Sequence, residues 1–153
     1  MRLTSLMAAT GLLFATTLPA GAVQVAECND WTANVQQIAE PWEKNTRVFG
    51  NGTIRIALLD TGGEPVCCSM HLLVMAPTPM NDPGDGGRMC AMIRDTKDLG
   101  FESIDFPRIT ARYDAGRGTL LTIPVTYYVD GLTHRRGVAR VRINSATAKI
   151  SAE

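Results

Sequence analysis

The sequence predicts an α+β domain: a mainly antiparallel twisted sheet or a small sandwich, with one N-terminal helix, stapled by disulfides. Three observations lead there. The last third alternates β-branched and aromatic residues between short turn sequences. Pro41, Pro65, Pro77, Pro79 and Pro83 punctuate the first half and keep helices there short. Four cysteines, an even number, suit a covalent framework formed in an oxidising compartment.

The chain opens as a targeting segment. Arg2 supplies the positive charge, Leu3 to Leu18 the apolar run, and Ala20-Gly21-Ala22 an A-x-A cleavage pattern. Residues 1–22 are therefore expected to be a cleavable signal peptide, and 23–153 a single exported domain in a bacterial periplasm. Cys28 follows Val25-Ala26-Glu27, and a glutamate there does not suit lipid attachment. No stretch reaches the roughly 20 apolar residues that a spanning helix needs. The 15 basic residues balance 15 acidic ones, which removes the long-range field of a general nucleic-acid binder.

Within the expected domain, Asn29-Asp30-Trp31 can cap a helix running to about Glu40, with Val35, Ile38 and Ala39 on one face. Asn51-Gly52 tolerates positive φ at both positions and suits a two-residue hairpin turn. Ile54, Ile56 and Leu58 then alternate with Arg55 and Ala57, the period of a half-buried strand. The run from Val66 to Met75 reads as a strand with Val66, Cys68, Met70, Leu72 and Val74 on one face. A Pro/Asp/Gly loop over 77–87 leads to a strand near Met89–Arg94 and a turn near Asp98-Leu99-Gly100. Ile109–Tyr113, Thr119–Val129 and Val138–Ile143 then form a meander, separated by Asp114-Ala115-Gly116 and Asp130-Gly131.

The cysteines allow three pairings. A bridge between neighbours Cys67 and Cys68 needs awkward geometry, and adjacent side chains in a strand point to opposite faces. Cys67 and Cys68 are thus expected to reach different partners, one Cys28 and the other Cys90. Which of the two takes Cys28 is left open.

Candidate chemistry is sparse. Asp60-Thr61-Gly62 resembles the catalytic loop of retroviral-type aspartic proteases. Those enzymes need a second carboxylate and a later hydrophobic-hydrophobic-Gly element, and neither Met92-Ile93-Arg94 nor Asp98-Leu99-Gly100 supplies it. Asp60 is read as a turn residue. Met70, His71, Met75, Met89 and Met92, close to Cys67, Cys68 and Cys90, are soft donors that would suit Cu(I) in a periplasm. Methionines also fill core gaps, and in a strand Cys67 and His71 lie about 13 Å apart, so no metal or other cofactor is expected. Asp82 and Asp85 lack the alternating ligands of a calcium loop. His134, Arg135, Arg136, Arg140 and Arg142 offer a basic patch for an anion or a partner, although alternating arginines are also an ordinary strand face. No nucleophile sits in a recognisable frame.

The functional expectation is a small periplasmic binding or scaffolding domain without catalysis, whose partner is an envelope or periplasmic protein or a small ligand. A copper-binding protein using Met70, His71, Met75, Met89 and Met92 is the second expectation. An enzyme whose polar residues meet only in three dimensions is the third.

Overall fold

The structure, a computed structural model, describes residues 23–62, 67–79, 87–96 and 99–153. The expected signal peptide, Val66, most of the 77–87 loop with Asp82 and Asp85, and Asp98 lie outside the described residues. The rest folds into two antiparallel five-stranded sheets around a shared core.

The first sheet contains β1 (Gln24–Ala26), β2 (Thr46–Phe49), β3 (Ile54–Asp60), β4 (Met70–Pro77) and β5 (Arg88–Arg94), in the order β1-β5-β4-β3-β2. The second contains β6 (Ser103–Ile104), β7 (Thr110–Asp114), β8 (Gly118–Asp130), β9 (Thr133–Asn144) and β10 (Lys149–Ala152). Its order is β10-β9-β8-β6, and β7 also pairs with β8. The meander falls where the alternation places it, because period-two patterning suits one buried face. Leu121, Ile123, Val125 and Tyr127 of β8 and Ala139, Val141 and Ile143 of β9 point inward. They meet Ile54, Ile56 and Leu58 of β3, Leu72 and Val74 of β4, and Ile93 of β5. Burying each large aliphatic side chain is worth about 1.5–3 kcal/mol. Side-chain carboxylates close the turns: Asp114 Oδ1 accepts the Gly116 and Arg117 amides, both at 2.9 Å, and Asp130 Oδ1 accepts the Leu132 amide at 3.2 Å.

Three expectations need correction. The N-terminal helix is two separate 3-10 turns, Trp31–Ala33 and Val35–Gln37, followed by the four-residue α1 (Trp42–Asn45). Asp30 caps the first turn through the Thr32 amide, and Asn34 caps the second through the Gln36 amide. The Asn34 side chain, bonding its own neighbourhood, competes with a continuous helix. This segment bridges to the first sheet through Ile38 and Leu59. It covers the sheet's outer face over Ala57, Leu59 and Met92, so β3 is buried on both sides rather than one.

The β2–β3 hairpin has a four-residue connection, because Phe49 pairs with Ile54. Gly50, Asn51 and Gly52 all take positive φ (56°, 56° and 85°), and the Gly52 and Thr53 amides donate to the Phe49 and Gly50 carbonyls in two overlapping turns. Asn51 and Gly52 thus take the positive φ expected of them, but within a four-residue connection rather than a two-residue one.

The disulfides are Cys28–Cys90 and Cys67–Cys68, not the crossed pairing. Strand register explains the first. β1 pairs Ala26 with Met92, so two residues further along Cys28 stands opposite Cys90, with Cα atoms 5.8 Å apart. Register also excludes the alternative. β4 sets Met75 opposite Cys90, which leaves Cys68 seven residues away, about 23 Å along the strand. Cys67 and Cys68 precede β4, and Cys68 has φ 91°, so the opposite-face rule for extended strands does not govern them.

Candidate functional site

Edge strand β2 and the 3-10 segment flank the outer face of the first sheet. Between them runs a groove of about 520 Å³, lined by Ala33, Val35, Ile38, Val48, Ala57, Leu73 and Met75 among others. Its floor comes from outward-facing positions of β3 and β4. Val35 and Val48, 58% and 60% exposed, stand on its two sides. Arg55 supplies positive charge along the lining, whereas the Arg47 guanidinium turns to the other face of β2 and donates to the Phe106 and Pro107 carbonyls. No strand continues the sheet beyond β2 among the described residues. Trp31 and Trp42, also largely exposed, lie on the segment that forms one wall or adjoins it. This surface was not legible in the sequence, because a helical reading turned Val35 and Ile38 to the same buried face.

The basic candidates separate. On β9, Arg136, Arg140 and Arg142 lie on the outer face of the second sheet, opposite Thr126, Thr122 and Leu120. Arg142 forks onto Glu153, at 2.9 Å from Nε and from Nη2. Arg117 also reaches Glu153, whose carboxyl is held below its ordinary range chiefly by the hydrogen bond from Arg142. His134 Nδ1 pairs with Glu102 at 2.8 Å. Arg135 turns the other way, with its guanidinium 4.3 Å from the centroid of the Tyr127 ring. Burial raises the Tyr127 hydroxyl pKa, and nearby Asp95 adds to the rise. Burial also raises Asp95, partly offset by Arg135. Of the five residues, Arg135, Arg136 and Arg140 make no ion pair or side-chain hydrogen bond among the described residues, and of these three only Arg135 lies over an aromatic ring. Arg136 faces Arg108 across a shallow groove of about 650 Å³, but Arg108 is tied to Asp105 at 3.3 Å.

The soft donors are not brought together. Met70 and Met89 pack on the shared core, whereas Met92 belongs to the cluster on the outer face of the first sheet. His71 is on that outer face as well, paired across β3 with Leu59, and Met75 lies four residues further along β4, about 13 Å away. Among the described residues no group of three or more His, Cys, Asp or Glu side chains is arranged to hold a metal ion.

His71 is nonetheless unusual. It is 4% exposed, and its Nδ1 is buried without a hydrogen-bond partner, as is Nε of Arg94. The β4–β5 register, continued one residue beyond Leu72 and Ile93, sets His71 opposite Arg94. Arg94 lies 3.9 Å from Asp30, which is held below its ordinary pKa first by its hydrogen bond from the Thr32 hydroxyl. Burial, and then the Arg94 charge, depress the His71 pKa against the opposing pull of Asp30 and Asp60. A neutral imidazole is the form this site favours. Asp60 itself ends β3 and accepts the Gly62 amide at 3.0 Å, the bond of an Asx turn.

No helix among the described residues is long and apolar enough to cross a membrane. Comparison of the chain with protein-family models, with curated proteins and with solved structures found no match.

Proposed function

We propose that the protein is an exported, periplasmic binding domain without catalytic activity, and that it receives an extended apolar segment of another envelope protein. The observation that carries this reading is the groove beside β2. An open apolar channel on the outer face of the sheet, between β2 and the 3-10 segment, suits a peptide in extended form. Laid along it, such a segment can set alternate side chains over Ala57, Leu73 and Met75. A channel open along its length gives a small ligand little enclosure, which favours a chain over a compact molecule. The disulfides agree with an oxidising compartment.

A photo-crosslinking residue placed at Val48, in cells exporting the protein, tests the reading. The expected product is one stoichiometric protein adduct, absent when the same residue replaces Arg112 on the second sheet and lost with Val35→Asp. No adduct at Val48, or equal adducts at both positions, overturns the groove as the binding surface. Metal analysis of the same native protein decides the rival: stoichiometric copper would move the function to the methionine and histidine donors.

A further inference from the structure

The two disulfides differ in kind. Cys28–Cys90 joins residues 62 apart and fastens two strands that already lie side by side. Cys67–Cys68 joins neighbours and closes no chain loop, so it restricts the unfolded chain very little. Its role lies in the folded protein, at one particular place.

That place is the crossover between the sheets. The chain leaves β5, and residues 99–101 lie against the start of β4 before entering β6. The Gly100 amide donates to the Cys68 carbonyl at 2.7 Å. Phe101 and Met70 exchange both backbone hydrogen bonds, at 2.7 and 3.2 Å. Phe101 is fully buried and meets Tyr127 of the second sheet edge-on, at 5.6 Å between centroids. Gly100 fits so closely that a Cβ there would come within 2.5 Å of the Met70 carbonyl oxygen, 2.7 Å of the Cys68 oxygen and 3.0 Å of His71 Cε1. The crossover thus rests on the Cys68 carbonyl and covers the buried His71 ring. Cys68 aims that carbonyl from φ 91°, a conformation L residues rarely adopt. The covalent ring with Cys67 restricts the backbone there.

We propose that Cys67–Cys68 is a redox-reactive site, reduced by a dithiol protein of the thioredoxin class, and that its reduction releases the 99–101 crossover from β4. Cys68 is buried and Cys67 half-buried, so the incoming thiolate attacks Cys67 Sγ. A bond forms between the reductant sulfur and Cys67 as the Cys67–Cys68 bond breaks. The electron pair leaves on Cys68 Sγ, which takes a proton from solvent. The second thiol of the reductant loses its proton and attacks its own bridged sulfur, and Cys67 departs as a thiolate that is then protonated. Two electrons and, through solvent, two protons pass from the dithiol, which ends as a disulfide, to the cysteine pair, which ends as two thiols. Cys68 can then leave positive φ, its carbonyl turns from Gly100, and the sulfurs separate. Cys28 and Cys90 behave otherwise: after reduction the β1–β5 ladder still holds them face to face, so they close again readily.

The test treats the oxidised protein with a reduced thioredoxin-type protein under native conditions, followed by alkylation and peptide mapping. Cys67 and Cys68 should be alkylated while Cys28–Cys90 stays closed, and a reductant retaining only its attacking cysteine should be trapped on Cys67. In the selectively reduced protein, amide exchange at Gly100 and Phe101 should speed up at least about tenfold, with β8 and β9 unchanged. Cys67→Ser/Cys68→Ser should reproduce that faster exchange without reductant. Reduction of Cys28–Cys90 at equal or lower reductant, failure of both bridges to react, or reduction with unchanged exchange at Gly100 would each overturn the proposal.

Discussion

Replacing Cys28 and Cys90 together by alanine removes the one covalent link between residues distant in sequence. The bridge spans 62 residues. In the chain-entropy relation, ΔS ≈ −2.1 − 1.5R ln n, a loop of that size constrains the unfolded chain by about 14 cal/mol/K, or about 4 kcal/mol at 25 °C. The folded state loses little in exchange, because β1 keeps its three-residue pairing with β5, and Val25 still packs on the shared core. A loss of about 4 kcal/mol is a large part of a small domain's stability and should lower Tm on the order of 15 °C. Urea unfolding of the oxidised protein and the double variant, compared at equal slope, measures it. Cys67→Ala/Cys68→Ala is the internal control: it opens no chain loop and should cost less than half as much. A loss below about 1 kcal/mol for the Cys28/Cys90 pair, or an equal loss for the adjacent pair, would refute the entropic reasoning.

Three further outcomes are expected. Gly100→Ala drives a methyl against two backbone carbonyls that cannot swing aside; unfolding experiments should show a loss of about 2–3 kcal/mol. The depressed pKa of His71 means that the unfolded chain takes up a proton first as pH falls. Stability should therefore be fully present above the ordinary histidine value of about 6.5 and decline below it, by at most about 1.4 kcal/mol per pH unit, and His71→Gln should remove that part of the slope. Asp60→Asn keeps an oxygen for the Gly62 amide; it should cost at most about 1–2 kcal/mol by chemical denaturation and leave peptidase assays at background.

Charge balance and the strands of the second half were legible in the sequence, and the reason is local. Leu121 to Tyr127 and Ala139 to Ile143 alternate because each second residue must meet the core, and the Asp114 and Asp130 turns are written in side chains that bond their own neighbouring amides. The 3-10 segment was misread because capping by Asn34 competes with helix continuation, and the outer face of β3 decides between them by holding Ile38. Tertiary register alone settled the disulfides: Cys28 meets Cys90 because β1 returns beside β5, a contact across 62 residues that no local spacing encodes. The separate pairing of β4 with β5 sets Arg94 beside the buried His71, and the crossover at Gly100 seals that ring. The groove is likewise a product of tertiary structure. Val35 and Val48 are ordinary β-branched residues until an edge strand and a short turn segment place them across a common apolar floor.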